Sequence, residues 1–170
     1  LEGVKQEKLS LMGSLERGGI LILNGQDPML TDVQSGVHRV LRAGFAPTGS
    51  DLAAERIWCH DKGSSFYADG ALFETPLIGR HNILNCLITI LAAKSLGLKT
   101  EEIRGAIADF KAPAGRLCLR EMEGIRFIDD TYNANPTSFL AALETLKEFK
   151  IREKKCVVCG DMLELGQNSE

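Results

Sequence analysis

The stretch IRFIDDTYNANP, Ile125 to Pro136, constrains this chain more than any other. Ile125, Phe127 and Ile128 are β-branched or aromatic and suit a strand, while Pro136 suits a first helical turn, where a missing N–H costs nothing. Between them Asp129, Asp130, Thr131, Tyr132, Asn133 and Asn135 crowd into one loop. The chain must therefore pass from strand to helix through a polar loop at the strand's carboxyl end, the edge at which open α/β sheets bind ligands. Asp and Asn are also ordinary turn formers, and Asn135 is equally placed to be an N-cap.

The rest of the chain alternates in the same way. Residues 4–16 read as a helix stopped by Gly18-Gly19, and Ile20 to Leu23 as a fully buried strand closed by NGQDP, which predicts a parallel α/β sheet. From Val37 to Leu77 short strands are expected at 40–45, 54–59, 64–68 and 71–77, separated by PTGSD, HDKG and ADG in the manner of antiparallel hairpins. Gly79 introduces a helix over 81–96 whose apolar residues surround most of its circumference, so it should be buried. Thr100 is placed to cap a second helix running to about Phe110, with Glu101 and Glu102 in its first turn.

KAPAGR, Lys111 to Arg116, mixes Pro, Gly and charge and divides the chain into residues 1–114 and 115–170. After it come strands near 117–123 and 125–128, a helix over 136–149, a polar turn and a buried strand, Cys156 to Cys159, ending at GDMLELG.

Composition narrows the function. With 44% hydrophobic and 25% charged residues the chain is an ordinary globular one, and a net charge of -3 supplies no basic field for nucleic acid. No apolar run is long enough to span a bilayer, and no signal peptide opens the chain. The five cysteines are odd in number and sit mostly in apolar runs, as reduced, buried thiols of a cytoplasmic protein do. Cys156 and Cys159 form a CxxC, but no second pair or suitably spaced histidines complete a zinc site. The chain starts at Leu1 without a methionine and ends in polar sequence, and it reads as an internal piece of something longer.

Asn82 and Asn85 lie three apart in the first turn of the buried helix, hence on one face. An amide can bond an adenine edge through donor and acceptor together, although an Asn at a helix start is also a common cap. Arg116, in the hinge, could reach a phosphate or remain a solvated linker charge. Lys8 reads most simply as an exposed helix residue.

Taken in order, VKQEKLSLMGSLERGGILILN, GRHNILN, Gly115-Arg116, DDTYNANP and GDMLELG make the sequence resemble the Mur ligase family over most of its length. Other members of that family carry histidine or lysine motifs where DDTYNANP stands, and folylpolyglutamate synthetases a DGAHNP-like loop. Within the family the resemblance therefore points to the ligases that add D-alanyl-D-alanine.

The resemblance implies the second half of a central ATPase domain, a mixed sheet with helices, joined to the first part of a Rossmann-like carboxyl-terminal domain. It implies ATP-dependent joining of D-alanyl-D-alanine to UDP-MurNAc-tripeptide through an acyl phosphate, in cytoplasmic peptidoglycan synthesis by a monomeric enzyme. Lys8 matches the family's carbamylated lysine, an oxygen donor to Mg²⁺. Asn82 and Asn85 would contact adenine, Arg116 the nucleotide phosphates, Asp130 the ribose, and Asn133 and Asn135 the incoming dipeptide or their own loop. His81 would orient the helix start or serve structure alone. Asn24 and Asp27 receive no catalytic role, because Gln26 stands where relatives place an acidic residue. The phosphate loop GxxGKT does not occur in these 170 residues, nor do the family's glutamate and histidine Mg²⁺ ligands upstream of Lys8, so the chain alone is expected to be inactive. Another Mur ligase, a folylpolyglutamate synthetase-like ligase, or a non-catalytic nucleotide-binding module are the alternatives.

Overall fold

The computed structural model describes residues 2–46, 49–149 and 154–163. Helix α1, Glu2–Leu9, is followed by a 3₁₀ segment, Ser10–Ser14, in place of the single helix expected over 4–16. Ser10 Oγ donates to Glu7 O at 2.6 Å, and Gly13 follows, so the sequence SLMGS offers the backbone bonds and freedom that a regular helix cannot use.

Strands β1 (Ile20–Asn24), β2 (Arg39–Phe45), β3 (Leu52–His60), β4 (Gly63–Ala68) and β5 (Ala71–Thr75) form one mixed sheet in sequence order. β1 and β3 both pair parallel with β2, whereas β3, β4 and β5 pair antiparallel. The expected hairpins are thus present from β3 onward, but the β2–β3 step is a correction. Only three residue pairs overlap there, Ala43↔Leu52 to Phe45↔Ala54, and the six residues between the strands suffice to span so short an overlap. β1 was expected to be fully buried; only Leu23 is, because β1 is the sheet's edge.

Helix α2, Arg80–Ser95, lies on this sheet, with Ile83, Leu87 and Ile90 at 0% exposure. Small residues on the strands, Ala43, Ala54 and Ala68, let it approach, and the Phe66 and Phe73 rings stack at 5.6 Å beneath it. Each of the buried Ile, Leu and Phe side chains contributes about 1.5–3 kcal/mol by leaving water. Helix α3, Thr100–Ala108, adds Ile103 and Ile107 to the same core. Its N-cap is Lys99 and not Thr100: Glu102 accepts from Lys99 N–H at 2.8 Å, which fixes the first turn one residue earlier.

After an irregular crossing, β6 (Cys118–Met122) and β7 (Ile125–Asp129) form an antiparallel hairpin. Its turn residues Glu123 and Gly124 both have positive φ, 53 and 76, the combination that matches strand twist. Helix α4, Pro136–Glu148, then begins on Asn135.

The strand expected at Cys156 to Cys159 is absent: residues 154–163 have no regular structure, and Val158 is 95% exposed. Among the described residues no strand pairs with this segment, and Lys155 Nζ donates to the Leu146 and Lys147 carbonyls at the end of α4. Cys156 and Cys159 are accordingly exposed, contrary to the expectation of buried thiols, whereas Cys86 is buried and Cys59 and Cys118 are half-buried. Residues 150–153, within the expected polar turn, and the last part of GDMLELG, from Glu164, lie outside the described residues.

Candidate functional site

The site forms where the start of α2 meets the crossing before β6 and the loop after β7. Gly79, with φ +87, turns the chain into α2, and a Cβ there would sit 2.5 Å from Thr145 Oγ1 of α4 and 2.8 Å from the His81 ring. Glycine is what lets the two helices approach. This brings His81, Asn82 and Asn85 to one wall of a cleft of about 300 Å³. The opposite wall holds Arg116, Asp130, Tyr132, Asn133 and Asn135. Such a volume lies at the lower end of small-molecule sites.

Asn82 Nδ2 donates to Ile78 O at 2.9 Å and its Oδ1 accepts from Asn85 Nδ2 at 3.2 Å. Asn82 is thus tied down, while exposed Asn85 keeps its side-chain oxygen Oδ1 and a second Nδ2–H for a ligand.

The two carboxylates of the DD pair are used differently. Asp129 accepts from Thr131 Oγ1 at 2.7 Å and pairs with Arg120 Nε at 3.2 Å. Asp130 accepts through Oδ1 from Leu117 N–H at 3.1 Å, and its second oxygen takes no hydrogen bond among the described residues. Arg116 has no carboxylate partner among the described residues; its guanidinium carbon lies 4.0 Å from the Tyr132 ring centroid.

Asn133 Oδ1 accepts from Ala134 N–H at 2.8 Å. Asn135 caps α4: its Oδ1 accepts from Ser138 N–H at 2.9 Å while Ser138 Oγ accepts from Asn135 N–H at 3.0 Å. His81 is pushed below its ordinary 6.5 by burial, against the pull of the Asp130 and Glu148 carboxylates.

Lys8 stands apart, exposed on α1 and outside the cleft lining. Among the described residues no group of three or more His, Cys, Asp or Glu could hold a metal ion. Asn24 accepts from Gln26 N–H and Asp27 from Met29 N–H, which are turn bonds.

Sequence reasoning missed Tyr132 and Leu117 as parts of the site. Tyr132 was visible inside DDTYNANP but carried no distinctive chemistry there; the left-handed backbone of Leu117, φ 49, has no signal in a leucine. A second cleft of about 300 Å³, where Arg126 of β7 pairs with Asp61 of the β3–β4 turn at 3.0 Å beside Glu148, was not foreseen either.

Taken together, the first cleft offers an amide able to read a base edge, a carboxylate oxygen suited to a hydroxyl pair, and a guanidinium suited to a phosphate. That donor set fits a nucleotide.

A family model described as Mur ligase middle domain matches residues 1–93, and one described as Mur ligase, glutamate ligase domain matches residues 115–170. The UDP-N-acetylmuramoyl-tripeptide--D-alanyl-D-alanine ligase of Bacillus subtilis is 31% identical over 172 residues, covering 99% of this chain and 37% of that protein. The ligase of the same name from Escherichia coli is 33% identical over 177 residues, covering 100% of this chain and 39% of that protein. The chain therefore spans under two fifths of the length of these curated relatives.

Among solved structures, MurF from Acinetobacter baumannii superposes with a TM-score of 0.79 at 27% identity, covering 86% of this chain and 33% of that one. The MurF ligase from Thermotoga maritima in complex with ADP superposes with a TM-score of 0.83 at 25% identity, covering 99% of this chain and 39% of that one. Folylpolyglutamate synthase of Thermotoga maritima, at 19% identity and a TM-score of 0.69, covers 88% of this chain and 36% of that one, and shares the fold.

Proposed function

The chain belongs to the Mur ligase family, and from that premise we propose that it serves ATP-dependent amide bond formation, adding D-alanyl-D-alanine to UDP-MurNAc-tripeptide in peptidoglycan synthesis. The observation that carries this reading is the cleft itself, in which Asn82 and Asn85 from α2 face Arg116 and Asp130 from beyond the crossing. The names of the relatives that match the whole chain support the choice of substrates.

In this reading residues 1–114 belong to the central domain and 115–170 to the carboxyl-terminal one, with the nucleotide held between them. Asn85 reads the adenine edge, oriented by Asn82, and Asp130 takes the ribose hydroxyls through its uncommitted oxygen. A tripeptide carboxylate oxygen bonds the γ-phosphorus and ADP leaves; the dipeptide amine then bonds the acyl carbon, phosphate leaves and the amine loses a proton. Arg116 offsets the phosphate charge. Asn133 is assigned the dipeptide, since its Oδ1 holds only the N–H of the next residue, whereas Asn135 is committed to capping α4.

Lys8, as a carbamate, is proposed to supply one oxygen to Mg²⁺, with the other ligands coming from outside the described residues. We place the protein in the cytoplasm and take it to be monomeric, and no helix of the described residues is long and apolar enough to cross a membrane. Without GxxGKT in its 170 residues the chain by itself is inactive.

Phosphate release by the complete protein tests this reading, with tripeptide and dipeptide omitted in turn. Release is expected only when both are present. Release supported by glutamate and a folate, or nucleotide binding without any release, contradicts it and favours a folylpolyglutamate synthetase-like ligase or a non-catalytic module.

A further inference from the structure

On the footing of the nucleotide reading, we propose that Tyr132 is the positioning residue for Arg116, holding the guanidinium by its face so that its edge is free for phosphate. Arg116 stands between Gly115, φ 73, and Leu117, φ 49, two residues in the left-handed region. A leucine there is uncommon and persists only when its surroundings over-determine it. They do: Leu117 is buried, and its N–H is held by Asp130 at 3.1 Å. On the other side of Arg116, Tyr132 N–H donates to Gly115 O at 3.0 Å. A side chain at position 115 would stand 3.0 Å from that same Tyr132 nitrogen, so Gly115 is required by the approach as well as by its φ.

This clip fixes the Arg116 backbone but leaves a long, exposed side chain with several rotatable bonds. No carboxylate among the described residues restrains it. The Tyr132 ring does, with the guanidinium carbon 4.0 Å from its centroid. Stacking uses the face of the guanidinium, whereas its five N–H donors lie in the plane, so the ring and an anion do not compete for it. A lysine or glutamate partner would either repel the cation or neutralise it; an aromatic face orients it and leaves its charge available.

The test uses the complete protein with Tyr132→Phe, Tyr132→Leu, Arg116→Gln and the double variant Arg116→Gln/Tyr132→Leu, and measures the affinity of ADP and of adenosine. Tyr132→Phe keeps the ring and is expected to retain the wild-type ADP affinity. Tyr132→Leu is expected to weaken ADP about fivefold, the size of an exposed cation–π contact, and to leave adenosine unchanged because it has no phosphate. In the Arg116→Gln background the same change should have no further effect. A loss that persists in that background, that appears equally with adenosine, or that Phe shares with Leu makes Tyr132 a packing residue and overturns the proposal. Wild-type protein that binds adenosine but gains nothing from the phosphates of ADP overturns it too, while leaving the adenine end of the cleft intact; protein that binds neither overturns the nucleotide reading itself and this proposal with it.

Discussion

Asp129 and Asp130 are neighbours in sequence and differ in use. The first has both oxygens engaged, by Thr131 and Arg120; the second holds Leu117 N–H and keeps an oxygen for the cleft. Asp129→Asn is therefore expected to change ADP affinity less than about twofold; its partner Arg120 is exposed while Asp129 is half-buried, and their pair is worth about 1 kcal/mol of stability, measured by denaturant unfolding. His81 gives a pH dependence. Burial lowers its folded pKa below 6.5, so on acidification below that value the unfolded chain takes up a proton which the folded chain refuses. Stability should fall with pH in that window and level off once the folded imidazole protonates; His81→Gln should flatten this part of a melting-temperature profile. At Gly79 the backbone and the 2.5 Å approach of Thr145 Oγ1 agree, and Gly79→Ala should cost about 1–3 kcal/mol in chemical denaturation.

At the scale of elements, α4 shows why a sequence can name a residue and leave its use open. Asn135 was readable both as a substrate contact and as an N-cap; the structure commits its oxygen to Ser138 N–H. Asn135→Ala should lower stability by about 1 kcal/mol, read as a fall in melting temperature, with a smaller effect on dipeptide KM than Asn133→Ala. α2 was legible because apolar residues recur around its whole circumference, and β3 to β5 because Gly and Asp mark their turns. Three features were not. The 3₁₀ segment after Leu9 depends on Ser and Gly competing locally with an apolar period that says helix. The parallel β2–β3 pairing depends on a three-pair overlap that no residue type announces. The apolar run at Cys156 to Cys159 has strand composition but no neighbouring strand among the described residues, and composition alone cannot supply one.

At the scale of the molecule, the cleft is assembled from residues 81–85, 115–117 and 130–135, which periodicity cannot bring together. Motif order made the grouping legible; the geometry adds how each member is held. Across the same crossing the Arg126–Asp61 pair, with side chains 40% and 49% exposed, is a surface contact, and Asp61→Asn should cost about 1 kcal/mol or less of stability while leaving the proposed phosphate release by the complete protein intact. One nucleotide site with a wall on each side of the crossing is what calorimetric ADP binding to the complete protein would reveal. Asn85→Ala on the α2 wall and Asp130→Asn on the opposite wall should each weaken ADP by about tenfold or more, the loss of one good ligand hydrogen bond. Wild-type affinity retained by either variant would contradict it.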